Sequence, residues 1–203
     1  MESQTQETLA RAQETLAREG AAIYPGPVSK AWQLSLQLLR QRSPAAYRLF
    51  ELCSVMASEI KQDVLYSSAM ASVLEPIDPV MAEPDMIGTA VREIDKLALI
   101  KLDRGSAQVV VHPLVQSVVR EGMSHERLVA ASHDVHRVLA ACRPSRGVDI
   151  PETWDRYRML WPHLRPSPAA ESADDGMRQL LTDRVRYLWL RSDLERGRDE
   201  AER

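Results

Sequence analysis

The chain carries five histidines and two cysteines, and these are the side chains whose types and spacing could do chemistry. His112 stands between a β-prone run, Gln108 to Val111, and a helical pattern that opens at Pro113. A donor imidazole beside the unpaired amides of a helix start suits an anion. The competing use is to cap that helix or to fill the corner of a hairpin. His133 and His136 form an i, i+3 pair with Asp134 between them, and His125 stands earlier in the same segment. No carboxylate or thiol occupies an obvious second pair of ligand positions, so the spacing predicts a surface histidine pair rather than a zinc centre. His163, inside Trp161-Pro162-His163, reads as structural. Cys53 and Cys142 sit in apolar helical surroundings without a partner motif, as reduced core thiols do. There is no G-x-S-x-G and no Cys–His pair at motif spacing, and no G-x-x-x-x-G-K-[ST] to cradle a triphosphate. The reading contains no catalytic residue and no metal site.

The stretch that positions His112 runs from Met86 to Glu121. Met86, Ile87, Ala90, Val91, Ile94 and Leu97 recur at three- and four-residue steps, on one face of a helix that Asp85 would cap. Leu99 to Leu102 and Gln108 to Val111 are short β-prone runs joined by Asp103-Arg104-Gly105-Ser106, which has turn chemistry. Pro113 fits the first turn of the next helix, with Leu114, Val115, Val118 and Val119 facing inward. Helix, two-stranded hairpin, helix is the ending of a winged-helix unit.

Upstream, QETLARA at Gln6 to Ala12 is followed by QETLARE at Gln13 to Glu19, placing Leu9 and Leu16 on one stripe of a short amphipathic helix ended by Gly20. Two heptads fall short of a coiled coil. Tyr24-Pro25-Gly26-Pro27 is a rigid connector. A helix from Val28 carries Trp32, Leu34, Leu36, Leu38 and Leu39. Ser43-Pro44 opens a second, with Leu49, Leu52, Cys53 and Met56 inward, and Gln62 to Leu74 reads as a third. Ser124 caps a helix over LVAASHDVHRVLAAC, broken by Arg143 to Gly147. A short helix with Trp154, Tyr157, Leu160 and Trp161 stops by Pro162, and Pro166 to Glu171 is a loop. Asp175 to Arg203 is one helix with a break near Ser192-Asp193. Its apolar face is Leu180, Leu181, Val185, Leu188 and Trp189, and it predicts an uncovered stripe in need of a partner.

A 44% apolar and 27% charged composition is that of a globular protein, and the polar, acidic N-terminus does not read as a signal peptide. No run is long enough to span a bilayer. The net charge of −3 gives no global attraction to phosphate backbones or anionic membranes. Winged helices commonly read a major groove, so DNA binding is the rival reading. The helix before the hairpin would present Thr89, Arg92, Glu93, Asp95 and Lys96, in which acids cancel bases, and the wing adds only Lys101 and Arg104. In the last helix, seven arginines from Arg178 to Arg203 are interleaved with Asp and Glu, as in a solvated face.

Several blocks in order resemble the winged-helix segment of bacterial NB-ARC/STAND-type ATPases with tetratricopeptide repeats. They are Val28-Ser29-Lys30-Ala31-Trp32-Gln33-Leu34-Ser35, Ser43-Pro44-Ala45-Ala46, Leu49-Phe50-Glu51-Leu52-Cys53, and Val111 to Arg120. Trp161-Pro162-His163-Leu164-Arg165-Pro166 and Arg186-Tyr187-Leu188-Trp189-Leu190-Arg191 look like the entry to the repeat array. The family usually has a basic residue where this chain has Pro113. The resemblance implies a mainly α protein divided into an N-terminal helix and linker (1–24), a winged-helix-like domain with a small β-hairpin (25–123), a helical connector (124–172) and the first helices of a tetratricopeptide-like region (173–203). It implies a cytoplasmic, non-catalytic module that relays the ADP or ATP state of an upstream nucleotide-binding domain to downstream repeats. Partners would be those neighbouring domains, and a second protomer met through the exposed C-terminal helix. His112 would contact the β-phosphate of ADP in the parent protein. The alternative is a winged-helix transcription regulator.

Overall fold

Ser43 accepts the amide N–H of Ala46 at 3.3 Å, and Pro44 takes the first helical position. This cap separates helix α1 (Pro27–Arg42) from α2 (Pro44–Ser54) with a single intervening residue. The computed structural model describes the backbone of residues 27–201 and the side chains of residues 32–192. The N-terminal heptad pair, Gly20 and Tyr24-Pro25-Gly26 lie outside these, as do the side chains of the arginines and acids beyond Ser192. The described chain is mainly helical, 69% helix, with one small antiparallel sheet. None of its helices is long and apolar enough to cross a membrane.

Helix α2 lies at the centre. Leu49, Leu52, Cys53 and Met56 are buried, as their spacing predicts, and so is Phe50. After α2 comes strand β1 (Glu59–Lys61), then α3 (Gln62–Leu65) and α4 (Ser68–Leu74). The sequence suggested one helix over Gln62 to Leu74 and no strand. Instead Ser67 interrupts: its backbone is extended and its hydroxyl accepts from the amide of Met70, starting a new helix. β1 is too short to show a period of its own and exists through pairing with a strand about fifty residues on.

Proline-led 3₁₀ turns at Pro79–Ala82 and Pro84–Met86 lead into α5 (Ile87–Lys96). Asp85 lies inside the second turn and does not cap α5, whose start has no side-chain cap. Asp78 caps the first of the two turns, accepting from the amide of Val80. Ile87, Ala90, Val91 and Ile94 are buried and pack on α2. Strands β2 (Lys101–Asp103) and β3 (Gln108–Val110) form the expected hairpin. β3 is the middle strand of the order β1-β3-β2, with Ile60 and Leu102 flanking Val109. The Asp103 carboxylate accepts from the amides of Gly105 and Ser106 and from the Ser106 hydroxyl, which closes the turn.

α6 (Pro113–Glu121) follows directly. Val115 and Val119 are buried, whereas Leu114 is exposed and Val118 only partly covered. The inward stripe is completed by Gln116, whose Nε2 donates to the carbonyls of Cys53 and Met56 at the end of α2. A polar residue thus takes a core position because two backbone carbonyls at and just past the end of α2 accept its side-chain amide.

Ser124 caps α7 (His125–Ala141) as expected. α7 packs on α2, α4 and the last helix. Glu51, 1% exposed, receives Arg48 and Arg127, and Arg48 also reaches Asp134, so α2 and α7 are joined by a partly buried charge network. Past Cys142 the chain forms α8 (Trp154–Leu160), a 3₁₀ turn at Trp161–Leu164 and another at Ala169–Glu171, inside the stretch that reads as loop. The final helix, α9 (Asp175–Ala201), runs through Ser192 and Asp193 without the expected break; the Ser192 hydroxyl is satisfied by the Leu188 carbonyl. Gly176 brings α9 close to α7, since a Cβ at that position would lie 2.8 Å from the Ala140 Cβ.

The apolar residues of α9 divide between two faces. Met177, Leu180 and Tyr187 are buried, while Val185, Leu188 and Trp189 are 69%, 54% and 64% exposed. The single stripe from Leu180 to Trp189 is therefore two rows, and only the outer row is uncovered. Tyr187 meets Trp154 edge-on and Trp161 at a tilt. Asp183, on the inner side, accepts from the Tyr157 hydroxyl and from Arg143 and Gln179, which fixes α9 against α8.

Candidate functional site

His112 occupies the junction between β3 and α6 in extended backbone, with its side chain exposed. Its Nδ1 accepts the amide N–H of Leu114 at 3.2 Å, so the imidazole is the N-cap of α6. A ring nitrogen that accepts must carry its lone pair, which puts the proton of the neutral ring on Nε2. Pro113 removes one of the orphan amides at this helix start. The site therefore offers one imidazole N–H donor beside a short, positively polarised helix end. No other titratable side chain of the described residues hydrogen-bonds to His112.

The other histidines separate. His163 is 1% exposed, and its Nδ1 accepts the amide of Ala57 at 3.1 Å. Burial pulls its pKa down to about 4, so it is neutral and structural. His125 and His133 are exposed, but His136 is buried at 3% exposure, which corrects the expectation of a surface pair. The reason is register: His136 falls on the inner row of α7 with Ser132 and Val135, while His133 lies on the outer row. Burial is the main cause that lowers the His136 pKa, the neighbouring His133 adds to it, and Asp174 opposes. Its Nε2 has no hydrogen-bond partner. An unmatched buried polar atom of this kind costs about 1–3 kcal/mol.

His136 belongs to the wall of a cavity of about 420 Å³ formed between α7 and the 166–173 segment. Leu128, Val129, Pro166 and Pro168 give it apolar sides, and His125, His133 and Arg120 bring basic or titratable groups to it. Arg120 is held by its bond to the Ser54 carbonyl. His112 is not among the lining residues, so the two histidine sites are separate. The sequence reading passed over this cavity, although a signal exists: His125, Val129 and His133 repeat every four residues, and so do Leu128, Ser132 and His136. The second wall, from 166 to 173, is irregular chain whose position no periodicity reveals.

Among the described residues no group of three or more His, Cys, Asp or Glu side chains could hold a metal. Cys53 and Cys142 are free buried thiols, and burial raises the pKa of both, that of Cys53 to about 12, which makes them poor nucleophiles. Residues 38–128 match a family model described as a domain of unknown function (DUF7779). That region extends from the last turn of α1 to the first turn of α7 and includes the whole sheet and His112. No curated protein and no solved structure matches the chain.

Proposed function

We propose that the chain is a non-catalytic regulatory and interaction module of a STAND-type signalling ATPase. In this reading α1 to α6 and the three-stranded sheet form a winged-helix-like unit, with β2 and β3 as its wing. α7 and α8 are the connector, and α9 opens a tetratricopeptide-like array. The observation that carries the reading is the placement of His112. Its Nδ1 is used in the cap, its Nε2–H is a donor, and the ring is exposed at a helix start, the arrangement that a phosphate of ADP in an adjoining nucleotide domain would need. The outer row of α9, Val185, Leu188 and Trp189, supports the second half of the reading, because a following repeat helix would cover it.

The test uses the parent protein, whose reading frame upstream of Met1 should encode a P-loop. His112→Asn keeps a capping acceptor and removes the imidazole donor; His112→Ala removes both. Loss of one hydrogen bond to a charged phosphate should weaken ADP retention by about 10- to 100-fold in both variants. ADP retention unchanged in both would reject the phosphate contact. A DNA-binding regulator, by contrast, would show a salt-dependent shift with duplex DNA. The α5 face argues for no such shift, since its Lys96 is paired with Glu93 at 2.6 Å.

A further inference from the structure

The cavity beside α7 takes no part in the reading built on His112, and its chemistry points to a ligand of its own. A volume of about 420 Å³ falls within the size range of small-molecule sites. Its sides are mostly apolar: Leu128, Val129, Pro166 and Pro168. Its polar groups are mainly hydrogen-bond donors, with the Arg120 guanidinium and the imidazoles of His125, His133 and His136 set against the carboxylate of Glu171, while the nearby Asp174 is occupied in capping α9 through the amide of Met177. His136 supplies an independent indication. It is 3% exposed, it lines the cavity, and its Nε2 is unpartnered where native proteins leave few such atoms unmatched. An apolar chamber with one unmet hydrogen-bonding group and basic neighbours is complementary to an amphipathic anion.

We propose that this cavity binds a small organic acid, its apolar body against Leu128, Val129 and the two prolines and its carboxylate between His136 and His133. These two histidines are one helical turn apart, so a single carboxylate can receive both. The His136 Nε2 is closed off from solvent, so seating the head at this atom requires local movement of the cavity wall. The imidazole of His136 is therefore the reporter of binding.

The experiment titrates the full chain, labelled with ¹⁵N-histidine, with octanoate while following the imidazole nitrogens. A saturable change at His136 with a dissociation constant of about 0.1–1 mM is expected, and 1-octanol, which has the same tail without the charge, should bind at least about tenfold more weakly. Val129→Glu places a carboxylate on the apolar wall at an exposed helix position that should not disturb folding, and should weaken octanoate by about tenfold or more. No saturable change at His136 overturns the proposal. So does equal affinity for octanol and octanoate. Octanoate binding that Val129→Glu leaves unaltered also overturns it, because the ligand would then be sitting elsewhere, as on the uncovered row of α9. None of these outcomes touches ADP retention, so this proposal and the one resting on His112 fail separately.

Discussion

His163 and Ala57 are joined by a hydrogen bond of 3.1 Å, the Ala57 amide donating to Nδ1 across 106 residues of sequence. Through this bond the 3₁₀ turn at Trp161–Leu164 holds the chain between α2 and β1. The bond requires a neutral imidazole, and burial maintains one by pulling the pKa from 6.5 to about 4. The unfolded chain binds a proton near pH 6.5, before the folded chain does. The stability contributed is thus complete above that pH and is lost as the pH falls towards the folded value. The loss should approach about 3 kcal/mol by pH 4, and His136, also shifted down, acts in the same direction. Urea midpoints measured between about pH 7.5 and 4.5 should decline. His163→Asn, which retains an acceptor but cannot titrate, should flatten the decline while lowering stability at neutral pH.

Glu51 is the shared acceptor of the charge network between α2 and α7, at 3.0 Å from Arg48 and 2.7 Å from Arg127. Arg48 is itself buried, so Glu51→Ala leaves a guanidinium with only Asp134 beside it. The expected loss is about 3 kcal/mol. Arg127→Ala should lose less than about 1 kcal/mol, because that side chain is half exposed. Comparable losses in chemical denaturation would contradict this division.

Gly176 admits the close approach of α9 to Ala140 on α7. Alanine there gains less helix propensity than the ~1 kcal/mol of a helix interior, because Gly176 stands in the first turn of α9, and it meets a methyl group at 2.8 Å that cannot swing aside. Overpacking of about 1–3 kcal/mol should dominate. Gly176→Ala is expected to lower the thermal midpoint, and Gly176→Ala combined with Ala140→Gly to recover it.

Ala107, the turn residue just before β3, has φ of 49°, a left-handed conformation that glycine adopts without the steric penalty of a Cβ. The residue is exposed, so its methyl group contributes no core packing. Ala107→Gly should raise stability by about 0.5–1 kcal/mol, measurable as a higher denaturation midpoint.

His112→Ala removes the side-chain acceptor at the start of α6 and should lower stability by about 1 kcal/mol in the absence of any nucleotide. His112→Asn should recover most of that. A loss in the alanine variant that asparagine does not repair would place the imidazole in a role other than capping.

Local signals determined much of this protein. The caps at Ser43 and Ser124, the prolines at 44 and 113, the turn at Asp103 to Ser106 and the three-and-four spacing of α2 and α5 each act over a few residues, and each is legible from them. The same locality limits the reading. β1 has three residues and exists because β3 offers it a partner; Gln116 is buried because the carbonyls of Cys53 and Met56 accept its side-chain amide. The apolar residues of α9 separate into a covered and an uncovered row according to where α7 and α8 lie. His136 shares a helix and an apparent motif with His133, yet the packing of the rest of the chain on the inner row of α7 buries one and leaves the other exposed. Hydrogen bonds within a helical turn are written in the order of residues, whereas burial is a property of what arrives from elsewhere in the chain.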